Sequence, residues 1–597
     1  MTHRRQFLIK APLSLLAAAS ASHVTGMTVE DPTPGAPPTF GNNPVSGPEV
    51  STETFAEAEK LVQVTMSAAQ REMAANSWQV SMASIMERRT GPRKLALEAN
   101  LVPAMRWIPM ASASRAARSP SGFVLSTTAI PALPLRDEDI AFAPVTRLAH
   151  WIATKALSSE RLTRIYLARI AQLDPRLRSV ITLTAEHGLR QAKKADREIA
   201  AGHYRGPLHG IPYGVKDLLD TAGIPTTWGA EPFRNRVPAH DSAVVARLTA
   251  AGAVLIAKLS LGALALNDIW FGGQTMNPWL PEEGASGSSA GPGAATAAGL
   301  VGFSIGSETG GSIVSPSMRC GVTGLRPTFG RVPRTGAMTL CWSLDKLGPM
   351  TRTVEDAMLV LKVISGPDAG DVASVASQVR FDGNSSVRGL KVGFLPKWMN
   401  ESPATEIDRD ALAVLKKLGM TASEITLPDW PYQSLNAILF AEAGAAFEDI
   451  TLDGRVDQLK VQVADAWPNL FRQARFISAV DFVQADRLRR KVANEMTRIL
   501  EQVDFLLVPS LRDEMLTISN FTGHPSLTLR TGFVKVTQAR SDWAPDPARP
   551  VPKFSPARRV PHGVTLIGRL FDEATIARVG LALEQHYAVA AERPPGF

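Results

Sequence analysis

GASGSSAGPGAATAAGLVGFSIGSETGGSIVSPS occupies residues 284–317, and the rest of the chain is best understood outward from it. Gly, Ala and Ser dominate this stretch, and Glu308 is its one charged residue. Small residues allow close backbone approach and backbone angles that larger side chains cannot adopt, whereas a core helix or strand is expected to carry Leu, Ile and Val at a regular period. We therefore predict two rigid loops here, one at Gly287-Ser288 and one before Ser312.

Two serine clusters in this stretch are candidates for nucleophilic chemistry, Gly287-Ser288-Ser289 and Gly310-Gly311-Ser312. A serine hydroxyl needs a base to take its proton, and neither cluster contains a histidine. Upstream, HGIPYGVKDLLDTAG places Lys216 after a Pro-containing turn and before apolar residues, where burial would lower the pKa of its amine. Singly, these residues are typical of loop caps and a surface lysine. Together they predict one catalytic site.

The combination resembles the amidase signature family of serine hydrolases. The resemblance runs from about residue 141 to the C terminus and is weakest between 370 and 500. The matching segments are Gly210-Ile211-Pro212, Val215-Lys216-Asp217, Gly287-Ser288-Ser289, Glu308-Thr309-Gly310-Gly311-Ser312-Ile313, Pro316-Ser317, Gly324-Leu325-Arg326-Pro327-Thr328, Ser343-Leu344-Asp345, Gly348-Pro349, Asn520, Thr522-Gly523-His524-Pro525 and Leu566-Ile567-Gly568-Arg569.

The resemblance implies an α/β fold with a central mixed β-sheet, helices on both faces and an added N-terminal extension. It also implies hydrolysis of a carboxylic amide to an acid and ammonia or an amine through an acyl-enzyme. Ser312 would be the nucleophile, Ser288 the bridging serine after a cis peptide bond, and Lys216 the base. Ser289 would orient the lysine, and the backbone N–H groups of Thr309, Gly310, Gly311 and Ser312 would form the oxyanion hole. No cofactor or metal is implied.

Three positions depart from the pattern of the family. Val314 stands where many members carry Arg, Ala290-Gly291-Pro292 replaces part of a glycine pair, and Glu308 stands where Asp is common. None of these changes affects the three expected catalytic residues, so we expect altered fine tuning and retained activity.

Other nucleophile patterns in the chain are weaker. Ser304 lies in a GxSxG pattern without the strand–turn–helix context expected of that motif, and Ser343 begins an SxxK pattern without its companion motifs. Cys320 lacks a neighbouring histidine. With Cys341 it makes up the two cysteines of the chain, and we favour two free thiols over a disulfide. No CxxC pair indicates a zinc site.

The sequence does not determine which amide is the substrate. We expect its acyl group to lie against the weakly matched region at 370–500 and the loops near Trp270 and Trp279. The alternatives are a glutamine amidohydrolase of the amidotransferase type, which acts with a partner, and a non-catalytic scaffold. The partner we expect is a small-molecule amide, with the chain acting as a monomer or homodimer.

The N-terminal sequence predicts export. Residues 1–26 carry Arg4-Arg5, a short apolar run and Ala19-Ser20-Ala21, as in twin-arginine signal peptides, which predicts a periplasmic or secreted protein. The apolar run is shorter than the ~20 residues that span a bilayer, so we expect no stable membrane insertion. The 64 Lys and Arg against 56 Asp and Glu are scattered, which does not favour nucleic-acid binding.

We divide the chain into this signal segment, a Pro- and Gly-rich arm with a helical extension (27–140), and the catalytic domain (141–597), whose region at about 370–500 is the variable, substrate-facing part. Periodicity predicts helices at 52–86, 91–99, 435–451 and 478–502, and buried strands at 253–260 and 505–510.

Overall fold

A computed structural model of the chain describes residues 33–41, 43–98, 104, 122–127 and 130–597. Residues 33–597 belong to one compact unit. The predicted signal peptide, residues 1–26, lies outside the described residues, and the proposed boundary at residue 141 stays a prediction. Among the described helices, none has both the length and the apolar character needed to cross a bilayer.

Helices of the described chain range from one turn to the 24 residues of the longest. They are α1 (Thr52–Val62), α2 (Ala68–Ser81), α3 (Glu87–Thr90), α4 (Asp137–Ala141), α5 (Val145–Ala153), α6 (Ser159–Leu177), α7 (Ala185–Ala200), α8 (Ala243–Ala250), α9 (Ala290–Ala297), α10 (Val314–Cys320), α11 (Val354–Ile364), α12 (Pro396–Asn400), α13 (Glu406–Lys417), α14 (Asn436–Ala446), α15 (Glu448–Leu452), α16 (Trp467–Ala474), α17 (Ala479–Gln502), α18 (Asp513–Phe521) and α19 (Glu573–Tyr587). Short 3₁₀ turns occur at Ala83–Met86, Glu231–Phe233, Ala263–Ala265, Tyr432–Leu435, Arg455–Gln458 and Val589–Ala591.

The strands are β1 (Phe123–Val124), β2 (Val180–Leu183), β3 (Pro212–Lys216), β4 (Val254–Leu259), β5 (Ile269–Trp270), β6 (Gly273–Gln274), β7 (Met276–Asn277), β8 (Leu280–Gly284), β9 (Phe303–Glu308), β10 (Thr323–Arg326), β11 (Lys346–Thr351), β12 (Phe381–Asp382), β13 (Lys391–Phe394), β14 (Thr421–Glu424), β15 (Phe505–Pro509), β16 (Ser526–Gln538) and β17 (Lys553–Gly568).

Eleven of these strands form one mixed sheet in the order β14-β13-β15-β17-β16-β10-β11-β9-β3-β4-β2. Strand β3 runs parallel to both of its neighbours, β9 and β4, whereas β11 runs antiparallel to β9. Every residue of β3, β4, β9, β11 and β15 is buried, which requires cover on both faces of the sheet. The predicted α/β class with a central mixed sheet is confirmed.

The Gly- and Ser-rich stretch folds differently from its prediction. It contains the fully buried helix α9, the fully buried strand β9 and most of α10, so the expectation of loops without a core helix or strand was wrong. Its small residues are needed for close packing. A Cβ added at Gly291 would lie 2.4 Å from the backbone nitrogen of Ser260, and one added at Gly306 would lie 2.9 Å from Ser289 Oγ.

Several local predictions hold and others need correction. The strands at 254–259 and 505–509 and the long helix α17 are confirmed. The helix expected over 52–86 is interrupted at Gln63, where φ is +53°, and the one expected over 435–451 is divided at Phe447. Residues 91–98 form no helix. Propensity suggested one, but Gly91 ends α3 in an extended conformation.

The described part of the N-terminal extension is held against α16 by buried hydrogen bonds. Gln473 donates to the carbonyl of Ala74 at 2.9 Å and to Ser77 Oγ at 3.0 Å, and it accepts from Ser81 Oγ at 3.0 Å. Phe55 of α1 packs edge-on against Phe476 with ring centres 5.2 Å apart. The extension thus shares a polar and apolar interface with the variable region.

Candidate active site

Lys216 is the last residue of β3 and is completely buried. Its Nζ donates to Ser288 Oγ at 2.7 Å, to Ser307 Oγ at 2.8 Å and to Ser289 Oγ at 3.0 Å, with the Ser307 carbonyl at 3.5 Å. Carboxyl ends of parallel strands meet at one edge of a sheet, and β3 and β9 are parallel neighbours. The sheet therefore places Ser307, near the end of β9, beside the lysine.

The two serine clusters meet next to Lys216. The backbone N–H of Ser289 donates to the carbonyl of Ser312 at 3.2 Å. Ser289 Oγ donates to the Ser307 carbonyl at 3.0 Å and accepts from the Ser307 N–H at 3.1 Å. Ser288 and Ser289 are buried, whereas Ser312 is half-buried. The peptide bond between Gly287 and Ser288 is cis, as the resemblance implied. The geometry thus gathers the predicted residues at one point.

Burial dominates the acid–base behaviour of the lysine. Removal from water lowers the pKa of Lys216 well below its ordinary value, although Asp345 and Glu308 act in the opposite direction. All four groups that accept hydrogen bonds from Lys216 are uncharged. The environment therefore favours the neutral amine, which is the form that can accept a proton.

Glu308 anchors the loop that leads to Ser312. Its Oε2 accepts the N–H groups of Ile313 at 2.8 Å and Val314 at 2.9 Å. Its Oε1 accepts from Arg326 at 2.6 Å and Asn520 at 3.0 Å. Burial alone would raise the pKa of Glu308, but the Arg326 guanidinium and the backbone donors outweigh it and the pKa is lowered. A buried carboxylate thus fixes both ends of the loop.

The predicted oxyanion loop, Thr309 to Ser312, lies between these anchors. Thr309 Oγ1 donates to Asp345 at 2.6 Å. Gly310 is exposed, and an added Cβ there would meet no atom within 4 Å, so open space adjoins the loop. Gly311 has φ of +143°, a conformation that favours glycine.

His524, in one of the matched segments, supports the geometry of the site rather than proton transfer. Burial and the nearby Arg326 lower the pKa of His524 to about 3, and its Nδ1 is 2.7 Å from Thr522 Oγ1. The His524 carbonyl accepts from Arg326 at 2.8 Å. The matched segments at 324–328 and 520–525 therefore meet at Glu308, and the histidine stays neutral.

The weaker nucleophile candidates are bound elsewhere. Ser304 is buried inside β9, with its Oγ 2.8 Å from Thr296 Oγ1. Ser343 Oγ donates to Glu442 at 2.6 Å, and Lys346 Nζ donates to the Leu344 carbonyl, so the SxxK pattern does not join Ser343 to its lysine. Cys320 and Cys341 are free and buried, and burial raises the pKa of both thiols.

A cavity of about 280 Å³ adjoins the oxyanion loop. Its lining includes Ser307, Thr309 and the half-exposed Trp342, together with residues of the 334–347 and 370–371 segments. Trp270 and Trp279, which we expected near the acyl group, are buried and do not line it. The charged lining residues are bound to protein partners: Arg334 pairs with Asp371 at 2.9 Å, and Asp345 accepts from Thr309.

Ser307 was missed by the sequence reasoning, although its hydroxyl contacts Lys216. The signal was available only from topology, because Ser307 becomes a neighbour of Lys216 once β3 and β9 are known to be parallel and adjacent. Among the described residues, no group of three or more His, Cys, Asp or Glu side chains is arranged to hold a metal ion.

Comparisons with known proteins identify the class. The family model "Amidase" matches residues 161–577. The protein named "Putative amidase AmiD" of Mycobacterium tuberculosis is 37% identical over 481 residues, which cover 79% of this chain and 100% of the relative. One of the subunits of glutamyl-tRNA(Gln) amidotransferase from Roseiflexus sp. is 35% identical over 459 residues, covering 72% of this chain and 93% of the relative.

Among solved structures, peptide amidase from Stenotrophomonas maltophilia superposes with a TM-score of 0.65 at 28% identity, covering 76% of this chain and 98% of that one. The fold and the comparisons define a serine-rich α/β hydrolase class, and the chain belongs to the amidase signature family. It is accordingly a hydrolase of carbon–nitrogen bonds in amides.

The contact between Ser307 and Lys216 predicts a shift in pH dependence. In Ser307→Ala, the ammonium form of Lys216 loses an acceptor, so its pKa should fall further and the acid limb of the kcat/KM profile should move to lower pH. We expect kcat to fall on the order of 10-fold, a fraction of the 10²–10⁴ that acid–base catalysis supplies. Ser304→Ala, on the same strand but bound to Thr296, is the control. An unmoved acid limb would contradict the assignment.

Proposed function

We propose that the protein hydrolyses a carboxylic amide with a Ser312–Ser288–Lys216 triad. The observation that carries this proposal is the 2.7 Å hydrogen bond between a completely buried Lys216 and Ser288 Oγ. Ser312 Oγ attacks the amide carbonyl carbon while its proton passes to Ser288 Oγ, which gives its own proton to neutral Lys216. The proton returns through Ser288 to the leaving nitrogen as the carbon–nitrogen bond breaks.

The acyl-enzyme on Ser312 is then cleaved by water. Lys216, again neutral, takes a proton from the water through Ser288, and the hydroxide oxygen bonds to the acyl carbon. When the ester bond breaks, Ser312 Oγ recovers the proton and the carboxylic acid leaves. The burial of Lys216 supports both steps because it favours the neutral amine between them.

We infer that the backbone N–H groups of Thr309, Gly310, Gly311 and Ser312 bind the oxyanion. Preorganised N–H donors are effective because they need no reorganisation when charge develops on the carbonyl oxygen. The support is the anchoring of the following two N–H groups on Glu308 and the open space at Gly310. Ser289 orients Lys216 through its 3.0 Å hydrogen bond.

The amidotransferase-like alternative is less well supported. Glutamine carries a free carboxylate and an ammonium group, and each is expected to need an unpaired charged side chain in the site. In the described lining of the cavity, Arg334 is engaged by Asp371 and by the Trp342 carbonyl. We therefore propose a substrate that is uncharged near the scissile amide. Glutaminase activity that depends on a co-purified partner would favour the alternative.

A fluorophosphonate probe tests the nucleophile. Wild type should be labelled at Ser312, and Ser312→Ala should lose labelling and lower kcat/KM for a simple amide on the order of 10⁴–10⁶-fold. Ser304→Ala and Ser343→Ala, which remove the serines of the two competing motifs, are matched controls and should label as wild type does. Labelling that persists in Ser312→Ala would refute the triad, and an unlabelled wild type would favour a scaffold.

Lys216→Ala tests the base. Activity should be lost most strongly near neutral pH and should recover in part at high pH, where hydroxide can replace the amine. Lys346→Met is a suitable comparison, since burial also lowers the pKa of Lys346, to about 7, but its Nζ donates to the Leu344 carbonyl. That variant should keep the wild-type shape of the pH profile. A flat response of Lys216→Ala to pH would argue against its role.

We further propose that residues 1–26 export the folded protein to the periplasm by the twin-arginine route, which rests on the Arg4-Arg5 sequence alone. A reporter fused to residues 1–26 should reach the periplasm, and changing Arg4→Lys together with Arg5→Lys should stop it. Lys10→Arg is the control and should export normally. Equal export with and without the arginine pair would refute the route.

A further inference from the structure

The turn directly before Ser288 is held in an unfavourable conformation by its surroundings. Ser286 has φ of +64°, in the left-handed region that a non-glycine residue occupies at a cost, and its side chain is buried. A Cβ added at Gly287 would lie 1.7 Å from the carbonyl oxygen of Asn267. The turn has no room to adjust and depends on groups outside it.

Asp542 supplies the main hold on this turn. Its Oδ2 accepts from Ser286 Oγ at 2.8 Å and from the Gly287 N–H at 2.8 Å. The Asp542 backbone carbonyl accepts from Asn267 Nδ2 at 2.7 Å, which ties the opposite wall of the turn to the same residue. Asp542 lies between β16 and β17, more than 250 residues along the chain from the turn that it binds.

Arg319 fixes the Asp542 carboxylate from the other side. Its Nη2 donates to Asp542 Oδ1 at 3.1 Å, and its Nη1 donates to the carbonyls of Gly284 and Arg540 at 3.0 Å each. Both charged side chains of the pair are buried. Arg319 belongs to α10, the helix that begins two residues after Ser312. The ion pair therefore connects the turn before Ser288 with the helix that follows Ser312.

The carboxylate of Asp542 has distinct duties at its two oxygens. One accepts two donors from the turn and the other accepts the guanidinium. An asparagine has the same shape but only one acceptor oxygen, so it must leave either the turn or Arg319 facing an NH₂ group. The interaction cannot be reproduced by an isosteric neutral side chain.

We propose that Asp542 is a positioning residue for the amide hydrolysis proposed above. Acting through Ser286 and Gly287, it sets the position of Ser288 Oγ relative to Lys216 and Ser312. This inference rests on the proposed function, since it concerns the same proton path. A small displacement of a reacting group is sufficient to cost on the order of 10² in rate, so the effect is measurable.

Asp542→Asn is the direct test. We expect kcat to fall about 100-fold with KM within about twofold of wild type, and the rate of fluorophosphonate labelling at Ser312 to fall in parallel. Asp356→Asn is the matched control, because Asp356 is also a buried carboxylate that accepts two backbone N–H groups, those of Val145 and Thr146. It should lower Tm by a similar amount and leave kcat near wild type.

Ser286→Ala is a milder second variant, which decides the question if Asp542→Asn does not fold. It removes one of the two bonds from the turn to Asp542 and keeps the Gly287 bond, so we expect a kcat about 10-fold below wild type with KM retained. Wild-type kcat in both folded variants, or an equal loss of kcat in Asp356→Asn, would overturn the inference while labelled wild type leaves the proposed function standing. An unlabelled wild type would count against the proposed function itself.

Discussion

A completely buried lysine bonded to uncharged groups is the constraint on which the rest of the site depends. Moving an ammonium out of water costs several kcal/mol in a protein interior unless a carboxylate compensates it. The partners of Lys216 are three serine hydroxyls and one carbonyl. These groups can bond a neutral amine as well as a charged one, so burial decides in favour of the neutral form. The serines are therefore part of what makes the lysine a base.

Such an arrangement requires that the nearby acids be occupied. Asp217, the next residue in the chain, pairs with Lys258 at 3.2 Å and accepts from Thr227 Oγ1 at 2.5 Å. Glu308 is taken by two backbone donors and by side chains from β10 and α18, and Asp345 by Thr309 and two backbone N–H groups. Each carboxylate that could otherwise charge Lys216 has its own donors. Several matched motifs of the sequence thus serve to keep charge away from one amine.

How far the sequence predicts this site depends on the range of the contacts. Gly-Ser spacing is local, so Lys216, Ser288 and Ser312 could be proposed from short motifs, and the mixed sheet followed from the resemblance. Ser307 depends on strand neighbours, and Asp542 on a contact more than 250 residues long, which no local pattern encodes. The Gly- and Ala-rich helix α9 was missed for a different reason. Its sequence lacks a hydrophobic period because backbone on every side comes close enough to exclude larger side chains.

The two faces of α10 explain one departure from the family pattern. Val314, standing where many members carry Arg, packs with Met318, Leu511 and Leu516 in a small apolar cluster. Arg319 lies on another side of the helix, where it meets Asp542 and two carbonyl groups. An arginine at 314 would place a second cation against those leucines, and an unpaired buried charge is strongly unfavourable. The valine is therefore coupled to its apolar neighbours, while the one cation that the helix buries is the one that has a carboxylate to meet it.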